Sequence, residues 1–564
     1  MDPLNQEVLA PHWTAWTKLI IGLGLLSCLL ATGCTAKHYR ESADKQTYGI
    51  IAAKSRLVPD MESHFTIQTN LLVPLTNLAV VTNIDEALGK EGAEELGARI
   101  IPLATALEIA VKNSRTYQNR KEMLYLEALS LTLARHRFAP IFTGSAQADY
   151  QRTVEGIDEL TTEHSISGSG ETGVSILTRS GARIAAAIAA DFRRFLVGDP
   201  RMATGSALSA TLTQPLLRGA GYRVTMESLT QAERNVLYAL RDFVQFRRDF
   251  VVQITSGYYG VLRNRDSVNN EWARYLSFRK STELTRAFVR EGRTKQSELG
   301  RLEQEQISAD IGMNNAIRNY RQSIDQFKIL LGLPTDAHVV LDSRELANLK
   351  LVYPNLSLED AVRVALATRL DLYTARDQFE DAHRKIYVDA NSLKPDLDLI
   401  LQANVASKPG SGLPELDFNR TSWSGGVDLN LPFDRLAERN EYRASFITYE
   451  RAQRALELAV DNIKLDVYDD WRNLEQAKRN YESSELGIKL SQSRVAEQTL
   501  LAELGRATAK DQVDAQNDLT TSMNARTSAI VNYTIARLEL WRDLGVLTIR
   551  ENGQWEEITN VTAQ

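Results

Sequence analysis

The chain has 564 residues, enough for three or four domains on length alone, and it is 43% apolar and 24% charged. That is ordinary globular composition and excludes global disorder. Its 66 basic and 72 acidic residues leave a net charge of −6, so no basic face for nucleic acid is expected. The two cysteines exclude a disulfide scaffold and a cysteine-based zinc site. The seven histidines are scattered, with no pair at metal-ligand spacing. No stretch reaches the roughly 20 apolar residues of a membrane-spanning helix.

Near the start of the chain Lys18 precedes the apolar run Leu19–Gly33, too short to span a bilayer but suited to the h-region of a signal peptide. Ala31, Thr32 and Gly33 are small residues leading to Cys34. The segment resembles a bacterial lipoprotein signal, although Ala31 stands where the best lipoboxes carry Leu. The resemblance implies removal of 1–33 and acylation of Cys34. Thr35 next to it is not the Asp that retains many such proteins in the inner membrane, so the outer membrane is the implied address. The alternatives are a plain secretory signal or an N-terminal anchor. Residues 34–100 read as a polar tether.

Beyond residue 100 the sequence repeats itself. Leu103-Ala-Thr-Ala-Leu-Glu-Ile-Ala matches Leu358-Glu-Asp-Ala-Val-Arg-Val-Ala, and Pro140 matches Pro395 at the same offset. Pro215 then matches Pro432, and Gly292 and Gly332 match Gly505 and Gly545. The copies are placed at 101–335 and 336–548, followed by a polar tail at 549–564. Pro140 and Pro215 bracket a longer stretch than Pro395 and Pro432, so the first copy carries an insertion, at about 153–206.

Each copy opens with a helix, about 103–137 and 358–392, the first entered through Pro102. Strands follow at about 139–152 and 207–214 in the first copy, and at about 396–406 and 423–431 in the second. In the second copy Leu397, Leu399, Leu401, Ala403 and Val405 alternate with Asp396, Asp398, Gln402 and Asn404, with Ile400 on the polar side. Trp423 falls near a strand start, where an interfacial aromatic belongs. The insertion has a strand-like hairpin of its own, Val174–Ile176 and Ile184–Phe192 around Ser180-Gly181. It either adds strands or covers the outer mouth.

Long, loop-poor stretches without proline come next, 216–333 and 433–564. Val236, Phe243 and Phe250 lie seven apart, as do Phe446, Gln453, Val460, Val467, Leu474, Tyr481 and Ile488. Heptads this sustained mean supercoiled helices packed on neighbours, each of roughly 70 residues and about 100 Å. A coiled-coil rod bridging the cell envelope is the alternative reading, but a rod needs no amphipathic strands. No Walker loop, G-x-S-x-G or H-E-x-x-H is present, so neither an enzyme nor a cofactor is expected.

Three sets of residues carry a family resemblance. They are the strand-to-helix junctions Leu212-Thr213-Gln214-Pro215-Leu216-Leu217-Arg218-Gly219 and Leu429-Asn430-Leu431-Pro432-Phe433-Asp434-Arg435; the hairpin ends Leu330-Leu331-Gly332-Leu333-Pro334 and Asp543-Leu544-Gly545; and the tip Gly505-Arg506-Ala507-Thr508-Ala509-Lys510-Asp511-Gln512-Val513-Asp514-Ala515. From about 100 to 548 the chain resembles the TolC-like outer membrane factors. The implied fold is mainly α with a β membrane portion: a duplicated helix-strand-strand-helix repeat whose homotrimer closes a β-barrel of 12 or more strands, continued by a long periplasmic α-helical barrel. The implied function is the passive exit duct of a tripartite efflux or type I secretion system, set in outer-membrane lipid. Its partners would be a periplasmic adaptor and an inner-membrane pump of the RND or ABC type. The resemblance places adaptor contacts at Gly292, Arg293, Gly505 and Arg506, and the pore constriction at Asp511 and Asp514. Some members latch the tip with a Tyr and an Arg; here those places hold Ala502 and Ala507, with Arg506 one position early, so that latch is not implied.

Overall fold

The computed structural model describes residues 35–556 except 63, 69–74, 156–160, 198–201, 409–415 and 505. The signal segment, Cys34, Gly505 and the end of the tail lie outside the described residues.

Thr35 caps the first described helix, α1 (Ala36–Ser55), by accepting from the His38 amide. α1 does not float. Ile50 and Ile51 are buried, the Tyr125 hydroxyl donates to Asp44 at 2.7 Å, and Lys54 pairs with Glu233 at 2.7 Å. A later part of the segment is fastened where Arg265 bridges Asp85 at 3.0 Å and Glu95 at 3.2 Å. β1 (Arg99–Ile101) then pairs in parallel with β6 (Val339–Leu341).

The segments expected as single helices at 103–137 and 358–392 are each two helices. α2 (Leu103–Asn113) and α3 (Arg115–His136) are separated by Ser114 at ψ 126°. α6 (Leu358–Thr368) and α7 (Leu370–Ser392) are separated by Arg369 at ψ 124°. The reason lies much farther along the chain. Gly332, at φ 77°, presses on the backbone at the first break, so that a Cβ there would lie 2.2 Å from the Asn113 carbonyl oxygen. Gly545, at φ 71°, packs on Thr368 and Arg369, where the Thr368 hydroxyl donates to the Leu544 carbonyl at 2.5 Å. A continuous helix would collide with both turns, and only glycine takes this left-handed, close-packed place.

The long helices form two hairpins. α4 (Glu227–Arg290) folds back as α5 (Gln296–Leu331), and α8 (Leu436–Glu503) folds back as α9 (Ala509–Asp543). At 1.5 Å per residue, α4 and α8 each run about 100 Å. α9 also lies along α4, joining the hairpins side by side. The heptad residues Val236, Phe243, Phe250, Val467 and Leu474 are buried along these contacts. Tyr117, Phe243, Phe246 and Phe250 form one aromatic cluster, with Phe65 of the N-terminal segment edge-on to Phe243.

Two adjacent buried arginines of α4 tie both ends of the chain to this core. Arg247 donates to the carbonyls of Asp60 at 2.6 Å and Ile549 at 2.9 Å. Arg248 donates to the Leu547 carbonyl at 3.0 Å and to the Asp60 carboxylate at 2.6 Å. Removing one partner of a buried, hydrogen-bonded pair costs about 3 kcal/mol. Arg248→Ala is therefore expected to lower the thermal midpoint of the detergent-solubilised protein and to expose the 57–62 segment to protease. An unchanged midpoint and cleavage pattern would contradict this role.

A carboxylate pair adds a pH dependence. Arg542 holds Asp543 with two 2.8 Å hydrogen bonds. Burial, and the neighbouring Asp543, push the Asp470 carboxyl up to about 8. Its Oδ2 is buried with no donor to satisfy it; a proton there becomes a hydroxyl that Asp543 can accept. The folded chain thus keeps a proton that the unfolded chain releases near 3.8. Stability from this group is greatest below that value and declines as pH rises toward about 8. Asp470→Asn should flatten the loss of thermal stability between about pH 6 and 8; equal slopes in the two proteins would refute the shared proton.

Candidate channel wall and periplasmic tip

Six strands form one antiparallel sheet: β2 (Ile141–Glu155), β3 (Thr161–Leu177), β4 (Arg183–Val197), β5 (Met202–Pro215), β7 (Asp396–Ser407) and β8 (Leu416–Asn430), paired in that order. The insertion is the hairpin β3–β4. It lies within the sheet, between β2 and β5, and does not form a cap over the mouth.

Because side chains alternate along a strand, register decides which residues share a face. One face is mainly apolar in every strand, with Arg152, His164 and Arg194 toward one end. It carries Phe142 and Ala146 of β2, Val174 and Ile176 of β3, Ile184 and Ile188 of β4, and Leu208 and Leu212 of β5. Leu399 and Leu401 of β7 and Trp423 and Val427 of β8 continue it. The other face carries Ser145, Gln147, Glu171, Ser169, Thr211, Ser209, Gln402, Asn404, Ser422 and Ser424. Trp423 lies at the middle of β8, opposite Ala403, and not near a strand start, because β8 begins at Leu416. The apolar face is uncovered within the chain: Trp423 is 83% exposed and Phe142 80%. Strands of 12 to 17 residues are longer than the 9–11 that cross a bilayer. Among the described residues no helix is long and apolar enough to cross a membrane, which leaves a β-barrel open.

The outer edges of β2 and β8 are unpaired in the single chain. Backbone groups on such an edge cannot be left unsatisfied in lipid.

At the opposite end are the hairpin tips. Gly292, at φ 70°, closes α4, and the Arg293 amide donates back to the Phe288 carbonyl at 2.9 Å. The exposed Arg293 guanidinium stacks 4.2 Å from the Phe288 ring centre and lies 3.4 Å from Glu291. Arg506 is exposed at the second tip. The tips are stitched together: Glu298 of the first hairpin accepts from the Ala509 amide at 2.8 Å, over a small core of Phe278, Leu302, Ala309, Ala509 and Val513.

Asp511 has a structural partner as well. Its carboxylate accepts from the Thr508 hydroxyl at 2.6 Å and from the Thr508 amide, while the Thr508 hydroxyl accepts from the Asp511 amide, closing a capping box at the start of α9. These hydrogen bonds hold the Asp511 carboxyl below its usual range. Asp514 is half-buried one turn on. Ala509, Val513, Gln516 and Thr520 are buried, whereas Asp511, Asp514 and Asp518 share the other side of α9. Asp518 is paired with Arg494 of α8. The parts missed at the sequence level are Glu298, Arg494 and the cap. Thr508 three residues before Asp511 is a capping-box spacing and was readable; Glu298 and Arg494 come from distant segments and carried no local signal.

No family model matches the sequence, and no curated protein aligns with it. Solved structures do match its fold. The outer-membrane channel OprN superposes with a TM-score of 0.57 at 12% identity, covering 86% of this chain and 98% of its own. The Campylobacter jejuni CmeC outer membrane channel gives 0.57 at 13%, covering 78% and 85%. The open state of the Neisseria gonorrhoeae MtrE outer membrane channel gives 0.55 at 15%, covering 79% and 90%. The chain therefore has the fold of the TolC-like outer membrane factors. These three structures are outer-membrane channels.

Proposed function

We propose that this chain is the outer-membrane exit duct of a tripartite export system, working as a homotrimer. The observation that carries the reading is a sheet apolar on one face, polar on the other and open at both edges, continued by helical hairpins about 100 Å long. Six is an even number, so β8 of one chain runs antiparallel to β2 of the next, and a cyclic trimer pairs every edge. The apolar face then meets lipid and the polar face meets water. The helices carry uncovered apolar rows, Leu458, Leu465, Leu486 and Leu500 on α8 and Ile307, Ile311 and Ile329 on α5, which neighbouring chains would cover. A coiled-coil rod accounts for none of the sheet.

The duct performs no chemistry. Solutes cross a water-filled tunnel whose inner end is narrowed by the helix tips and is handed cargo by an adaptor and an inner-membrane pump. Acylation of Cys34 would anchor the chain beside its barrel, since two acyl chains hold far more firmly than one. Native mass spectrometry in detergent, combined with intact-mass measurement, tests both points. Trimers with a lipid-bearing N-terminus at Cys34 are expected. A stable monomer would overturn the duct, and a mature start elsewhere without lipid would overturn the anchor.

A further inference from the structure

The inserted hairpin β3–β4 has a consequence for what can leave through the barrel. We infer that it sets the pore width: with six strands per chain, the trimer closes 18 strands where four per chain would close 12. This rests on the trimeric duct proposed above.

The register shows the hairpin built as barrel wall. Both faces of the sheet run through it unbroken. Val174 sits beside Phe142 and Ala186, and Ser169 beside Gln147 and Asp191. Two size-matched cross-strand pairs hold it in place. Gly168 of β3 lies under the Phe192 ring of β4, where a Cβ would come within 2.6 Å of the ring. Gly205 of β5 faces Asp191 of β4, where a Cβ would come within 2.8 Å of the carboxylate. The first pair is on the lipid side and the second on the polar side. Slipping either register by one residue would place a ring or a carboxylate against the wrong surface.

Barrel diameter grows roughly linearly with strand number. Taking about 4.8 Å between strands and a tilt of about 40°, 18 strands give a backbone diameter of about 36 Å, against about 24 Å for 12. After side chains are allowed for, the free cross-section more than doubles. The membrane segment is then no size filter, and solutes much bulkier than small amphiphiles pass it once the inner tip has admitted them. The hairpin also places charges of both signs on the polar face, Arg183 and Arg193 with Glu171 and Asp191, beside the acidic Asp149, Asp396, Asp398 and Asp428 of the other strands.

Deleting 155–203 and joining Val154 to Thr204 by a two-residue turn removes an even number of strands, so the remaining pair stays antiparallel, and it sets two positions of the same face opposite each other, so the faces stay matched. Polymer exclusion on purified trimers in planar bilayers, with polyethylene glycols added from the barrel side, reads the width. The deletion is expected to shrink the largest admitted hydrodynamic diameter by more than about one third, the fall in backbone diameter. Trimers with an unchanged limit would overturn the inference. Cysteine labelling of the full chain decides the matter even if the deletion fails to assemble. Ser169→Cys and Ala187→Cys should react with a membrane-impermeant maleimide, and Val174→Cys and Ile188→Cys should not. Uniform or reversed labelling would place the hairpin outside the wall. A stoichiometry other than three appears in the native mass and overturns the duct itself, whereas failure of this inference leaves intact trimers.

Discussion

Reversing the charge at both hairpin tips, Arg293→Glu with Arg506→Glu, is expected to reduce export to background while trimers and membrane location persist. Both side chains are exposed, and neither holds the helices together. The Arg293 guanidinium is nonetheless held out over Phe288 beside Glu291, a pre-oriented charge at a glycine turn. A partner carboxylate or backbone carbonyl would receive a charge-assisted hydrogen bond there. Losing such a bond at a buried interface costs about 2–5 kcal/mol, and the new Glu beside Glu291 adds repulsion. Two sites per chain should lower adaptor affinity by at least about a hundredfold. Export assays in cells and adaptor binding by purified trimers provide the check. Full export by the double variant would remove the tips from the contact.

The second large effect is expected at the inner constriction. If α9 turns its acidic side toward a threefold axis, Asp511 and Asp514 become two rings of three carboxylates. Like charges so close favour bound cations and make the closed pore cation-selective. Asp511→Asn with Asp514→Asn should bring the cation-to-anion permeability ratio in planar bilayers down toward about one and abolish block by multivalent cations. The variant should still fold, because an Asn carbonyl can accept from the Thr508 amide as the carboxylate does. Asp518→Asn is the contrast. That carboxylate is already paired with Arg494, so its loss frees a positive charge beside the same helix. Unchanged selectivity and unchanged block in the double variant would place both aspartates outside the lumen and leave Asp511 a helix cap alone.

Much of this architecture is local and is therefore written in residue order. The period of seven in Val236, Phe243 and Phe250 commits those residues to one helical stripe wherever the helix packs. The period of two in Leu397, Leu399 and Leu401 commits them to one face of a strand whatever its partner. Pro215 stands at the end of β5, Pro432 follows β8, and Gly292 ends α4, because each acts on its own backbone.

Tertiary structure decided what depends on partners far along the chain. Alternation in Val174–Ile176 and Ile184–Phe192 says which way side chains point, but not whether the hairpin joins a sheet; that followed from β4 pairing with β5, through contacts such as Asp191 on Gly205. The breaks at Ser114 and Arg369 have no breaker residue, since the turns at Gly332 and Gly545 that impose them lie some two hundred residues downstream. The N-terminal segment reads as a tether that wraps the outside of the duct, but the residues that fasten it, Arg247, Arg248 and Arg265, sit on a helix where arginines ordinarily read as solvated. Composition and period fix the elements and their faces, because these depend on neighbours a few residues away. Strand count, helix breaks and buried ion pairs arise only when distant backbone and charge are brought within a few ångströms, where sterics and desolvation settle the outcome.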